Sequence, residues 1–125
     1  MRRRDEEAQP QPAIVQLLTY AAVPGVLWWH SPNGELRTGR TGAILAGMGV
    51  RPGVSDFTLV LPPHGQMAAL ELKSRTGRLS EAQQEFGAAC LAVGALHGMA
   101  RTIDEAIAVL SAWRAVRIGG RGRAA

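Results

Sequence analysis

Apolar and polar positions change spacing several times along this chain, and each change marks an element. Between residues 5 and 20, Ile14, Val15, Leu17 and Leu18 fall on one helical face. Pro10 and Pro12 lack an N–H and crowd the preceding turn, so the helix either begins near Pro12 or follows a separate turn over residues 6–11. Pro24-Gly25 interrupts the chain, and residues 26–30, β-branched and aromatic, predict a strand. Ser31-Pro32-Asn33-Gly34 reads as a turn. Residues 41–49 predict a short helix with Ile44, Leu45 and Met48 on one side, followed by a turn at Arg51-Pro52-Gly53.

Two strands are predicted next, over residues 56–61 and 67–73, joined closely enough for a hairpin. Ser80 stands at an N-cap position before a helix running to about Val93, and Gly94 ends it. Residues 96–101 predict a last strand. Thr102 or Ile103 opens a last helix carrying Ile107, Val109, Leu110 and Trp113. The order α, β, short α, β, β, α, β, α predicts an α/β fold: a mixed sheet of about four strands flanked by helices.

Composition narrows the class. A chain of 125 residues, 46% hydrophobic and 19% charged, fits one globular domain, expected over residues 1–118, with an Arg/Gly-rich flexible tail over 119–125. The single cysteine, Cys90, excludes an internal disulfide and a cysteine-based zinc module, and its small apolar surroundings suggest a buried, inert thiol. No apolar run approaches the roughly 20 residues of a membrane helix. The N-terminus lacks the apolar core of a signal peptide, so a cytoplasmic location is expected, with no membrane partner.

The formal charge is +4. Residues 1–7 and 8–113 are each balanced, so the excess lies in Arg114, Arg117, Arg121 and Arg123. Thirteen of the 14 basic residues are arginine; the one lysine is Lys73. Arginine and lysine differ wherever a compact charge with a removable proton is needed.

That lysine sits in the stretch richest in chemistry. Strand alternation puts Glu71 and Lys73 on one face and Leu72 on the other. Asp56, from the neighbouring strand, could meet Glu71. Two carboxylates offer hard oxygen ligands suited to Mg2+ or Mn2+, and such a metal can acidify water and neutralise phosphate charge. A lysine alongside could orient the attacking water or stabilise developing charge. Taken alone, the Glu-x-Lys spacing is equally that of a solvated strand face.

The wider pattern is Gly53-Val54-Ser55-Asp56, fourteen residues, Glu71-Leu72-Lys73, then Gly77-Arg78-Leu79-Ser80-x-x-Gln83. It resembles the PD-(D/E)XK nuclease superfamily and, within it, the VRR-NUC (virus-type replication-repair nuclease) family. Residues 29–34 with Arg37 look like that family's histidine–asparagine–arginine segment. Residues 49–56 look like its Gly-x-x-x-Gly-x-x-Asp approach, and residues 94–110 like its last strand and helix. About residues 6–113 are covered. Ser55 replaces the proline of the superfamily name, a residue that does no chemistry.

The resemblance implies a restriction-endonuclease-like core. It implies Asp56, Glu71, Lys73 and Gln83 as catalytic residues, with Asp56, Glu71 and the backbone carbonyl of Leu72 as ligands of Mg2+ or Mn2+. Glu7 matches the N-terminal helix glutamate, although Glu6 beside it competes for that assignment. Arg75, Arg78, His30, Asn33 and Arg37 are the expected DNA contacts; His30 could equally be structural. His64 and His97 read as structural or exposed, and one of Trp28 and Trp29 should be core.

The implied activity is a metal-dependent DNA endonuclease leaving a 5′-phosphate and a 3′-hydroxyl. Stand-alone family members resemble structure-selective enzymes acting on branched DNA as homodimers in phage or bacterial replication and repair. The alternative is a non-catalytic DNA-binding module with a degenerate site; a non-enzymatic accessory protein is a third reading.

Overall fold

A computed structural model describes residues 10–32 and 39–118, without the side chains of residues 39 and 40. The elements run α1 (Gln11–Ala21), β1 (Leu27–His30), α2 (Gly39–Gly47), β2 (Phe57–Leu61), β3 (Gln66–Leu72), α3 (Glu81–Ala92), β4 (Leu96–Ala100) and α4 (Ile103–Ala112). This is the expected α/β order, with a four-stranded mixed sheet. The sheet order is β1-β2-β3-β4, antiparallel between β1 and β2 and between β2 and β3, parallel between β3 and β4. A parallel pair needs a long crossover, and α3 supplies it.

Local chemistry sets the boundaries. Pro10 is the N-cap of α1 and Pro12 lies in its first turn, where an absent N–H is no loss, so this helix begins beside Pro12, as one of the two expectations had it. The α3 terminus is a capping box: Ser80 Oγ accepts from the Gln83 N–H, and Gln83 Oε1 accepts from the Ser80 N–H. Thr102 caps α4, with Asp104 and Glu105 in the first turn beside the positive end of the helix dipole. The hairpin joins Leu61 to Gln66, with the Gly65 N–H donating to the Leu61 carbonyl.

Alternation along β3 divides the core. Ala68, Leu70 and Leu72 face α1 and α4 and pack with Ile14, Leu18, Phe57, Leu59, Ala106 and Leu110. Ala69, with Met67, packs on the other side with Cys90, Ala95 and Phe86. Small residues there, Ala69 and Gly87, let α3 approach the sheet, and His97 fills the remaining space against Gly87. Cys90 is buried as expected, and burial pushes its thiol pKa up. Trp28 packs on the core while Trp29 is 44% exposed, as alternation requires. The apolar side expected of α2 is not buried: Ile44 and Met48 are exposed and only Leu45 is half-buried.

The burial pattern yields a stability prediction. Leu70→Ala should cost about 2–5 kcal/mol through lost transfer energy and a residual cavity. Leu91→Ala, at a position 61% exposed, should stay within about 0.5 kcal/mol. Denaturant unfolding of both variants checks the contrast.

Candidate active site

The candidate site lies where β2 stops pairing with β3. The ladder ends at Phe57↔Leu70, leaving the Leu72 N–H without a main-chain partner from β2. Asp56 takes it: its Oδ2 accepts from the Leu72 N–H at 2.7 Å. The Asp56 carbonyl accepts from the Ser31 N–H at 2.8 Å and lies 2.8 Å from His30 Nδ1. A carbonyl only accepts, so Nδ1 carries the proton. His30, its ring also 5.3 Å from that of Phe57, thus holds the segment preceding β2.

Alternation puts Glu71 on the α3 side of β3, next to the first turn of that helix. It is 3% exposed, which overturns the solvated-face reading. Its Oε2 accepts from Gln83 Nε2 at 2.8 Å, while its Oε1 is buried with no partner. Burial, and secondarily the Asp56 charge, push its pKa up to about 8 against the opposing pull of Lys73. These causes also place Asp56 and Lys73 within electrostatic reach of Glu71.

Gln83 is held at both ends of its amide. Its oxygen closes the capping box on Ser80, which turns the NH2 group toward Glu71. The helix terminus therefore orients a site side chain. Gly53 brings the two segments together. Its φ is +83°, and a Cβ there would lie 2.2 Å from the Ala82 carbonyl oxygen, so only glycine lets this loop rest on α3.

Lys73 follows β3 directly, half-buried, with its N–H donating to the Ala100 carbonyl at 3.0 Å. The loop after it is fastened by Arg101, whose Nη1 donates to the carbonyls of Ser74 at 2.8 Å, Arg75 at 3.3 Å and Gly77. Neither Arg101 nor Gly53's contact with α3 is legible locally: Arg101 acts across 24 to 27 residues. Ser55, at the superfamily proline position, is fully buried with an unpaired Oγ.

The structure thus brings together Asp56, Glu71, Leu72, Lys73 and Gln83. Arg75 and Arg78 are exposed on the adjoining loop. Glu7, with its rival Glu6, and Asn33, Arg37 and the tail over 119–125 lie outside the described residues. His64 is exposed in the hairpin turn. His97 packs edge-on to Phe86, and burial lowers its pKa.

As a donor set, the site offers two carboxylates and main-chain oxygens. Among the described residues no group of three or more His, Cys, Asp or Glu side chains is arranged to hold a metal. A set this sparse suits Mg2+ or Mn2+, which retain several waters, better than zinc. The unpaired Glu71 Oε1 is a buried acceptor such a cation would satisfy.

Fold and site can now be set beside known proteins. Residues 5–101 match the model of the VRR-NUC domain, a span that takes in every element from α1 to β4. The match covers well over half the chain, which therefore belongs to the VRR-NUC family, a family of nuclease-type domains. Searches of curated proteins and of solved structures returned no significant match.

Two predictions follow from the Glu71 environment. In chelator, folded Glu71 keeps its proton up to about pH 8, whereas an unfolded chain releases it near 4.5. The folded state therefore binds the extra proton, and that share of stability is present below 4.5 and lost as pH rises through 8. Thermal midpoints from pH 6 to 9 should fall more steeply for the wild type than for Glu71→Gln; equal slopes would contradict the burial effect. Gln83→Glu should keep the capping box but replace the donor with a second, half-buried acid against Glu71. It should cut activity by roughly a hundredfold in a nuclease assay while leaving helix content unchanged by circular dichroism.

Proposed function

We propose that this chain is a metal-dependent DNA endonuclease, structure-selective for branched DNA in phage or bacterial replication and repair. The observation that carries it is the placement of Asp56 beside a buried Glu71 with a free oxygen, and of Lys73 two residues beyond Glu71, directly after β3. Family membership supports the nuclease reading.

Asp56, Glu71 and the Leu72 carbonyl would hold Mg2+ or Mn2+. When bound, such a cation supplies acidified water and neutralises phosphate charge. The protein groups have separate tasks. Gln83 holds Glu71 through Oε2, which leaves Oε1 as the oxygen that would meet the cation. Lys73 offers a compact ammonium for the charge that develops as the water oxygen bonds to phosphorus and the bond to O3′ breaks. The departing O3′ gains a proton to become the 3′-hydroxyl, and the other product ends in a 5′-phosphate. Arg75 and Arg78, exposed on a loop fastened by Arg101, would contact neighbouring phosphates. Cutting two strands of a junction needs two such sites, which a two-fold dimer would provide.

The test is a cleavage panel of junction, flap, splayed and linear DNA with Mg2+ or Mn2+, and with chelator. Cutting should require metal and favour branched substrates. Asp56→Asn and Lys73→Arg should each lose roughly a hundredfold or more. Asp56→Asn should bind DNA at least as well as the wild type, because a charge that repels phosphate is gone. A wild type that binds every substrate and cuts none would make the chain a degenerate DNA-binding module.

A further inference from the structure

At the other end of the sheet lies a second basic feature. Residues 21–23 and 115–117 are tied together by an antiparallel bridge between Ala22 and Val116 and by two main-chain hydrogen bonds, Val23 N–H to Ala115 and Arg117 N–H to Ala21. Beside them is a recess of about 380 Å3 lined by Val23, Pro62, Ser111, Arg114, Val116 and Arg117. Pro62 follows β2 and Asp56 precedes it, so the length of that strand, about 20 Å from Asp56 to Pro62, separates the recess from the candidate active site.

Both arginines are exposed, and neither side chain has a hydrogen-bond or ion-pair partner among the described residues. Arg114 is also conformationally unusual. It follows the C-cap of α4, where the Ala115 N–H returns to the Leu110 carbonyl and the Arg114 N–H to Ser111. This double closure ordinarily ends on glycine, because the residue takes a left-handed conformation. Here φ is +61°, and Arg114 is the one non-glycine with positive φ among the described residues. A strained residue held without a structural partner points to a use for its side chain. Charge points the same way: Arg114 and Arg117 begin the segment holding the chain's entire excess of +4, continued in sequence by Arg121 and Arg123.

We propose that this recess is a second DNA-backbone contact, remote from the cutting site, with Arg114 and Arg117 on phosphate oxygens and the Ser111 hydroxyl beside them. The proposal rests on the reading that the chain acts on DNA. The apolar wall of Val23, Pro62 and Val116 suits the sugar edge between phosphates. A separation of about 20 Å corresponds to roughly six base-pair steps, so the second contact engages duplex that the catalytic end does not touch.

The test measures binding of the full-length protein to a junction and to a linear duplex in chelator, over a series of salt concentrations. Arg114→Gly places the favoured residue in the helix terminus, so its thermal midpoint should equal or exceed that of the wild type while its affinity falls. Combined with Arg117→Gln, it should weaken binding about tenfold or more and make the log–log salt slope shallower by about two. Arg117→Gln alone, at an exposed position, should make it shallower by about one and serves if the terminus is disturbed. Variants that bind like the wild type, with the same slope, would overturn the inference and leave the nuclease reading standing. A wild type that binds no DNA would overturn both.

Discussion

The burial of one carboxylate organises this molecule. Glu71 is 3% exposed at the end of the central strand, with one oxygen held by Gln83 and the other unpaired. A buried acid next to a second acid is costly in isolation, and its pKa of about 8 expresses that cost. The surrounding structure is arranged to keep it there. Gly53 lets the Asp56 segment rest on α3, the capping box aims Gln83, and Asp56 occupies the last free donor of β3. Under the proposed function, a site preorganised in this way would present its acids to a cation without rearrangement.

Charge is distributed to match. The body that carries the site is balanced, so under the proposed function attraction to a polyanion would have to come from placement rather than net charge. The loop carrying Arg75 is fastened to the sheet by Arg101, and Arg114 and Arg117, without a side-chain partner among the described residues, stand at the far end. Lysine occurs once, beside the acids, where a compact ammonium differs most from a guanidinium.

The sequence made much of this legible because the relevant signals were local. Alternation placed Glu71 and Lys73 on one face and Leu72 in the core. Ser80 three residues before Gln83 marked the helix start, and two prolines bounded α1. Motif spacing brought Asp56 to Glu71 across a hairpin. Less legible were contacts made between distant segments. Nothing near Arg101 announces that its guanidinium will bind carbonyls of residues 74–77, and nothing near Gly53 shows that Ala82 will fill its Cβ space. The depth of Glu71 depended on α3 closing over β3, which needed Ala69 and Gly87 together. The apolar side of α2 misled because periodicity reports a face without naming what covers it.

The most direct test of this account is calorimetric titration of Mn2+ into DNA-free protein, comparing the wild type with Glu71→Gln. The substitution keeps size and an acceptor for Gln83 while removing the ability to ionise and ligate as a carboxylate. Saturable binding by the wild type, weakened about tenfold or more in the variant, is the predicted result. A variant that binds Mn2+ as tightly as the wild type would show that the buried carboxylate is not a metal ligand, and the account would fail at its centre.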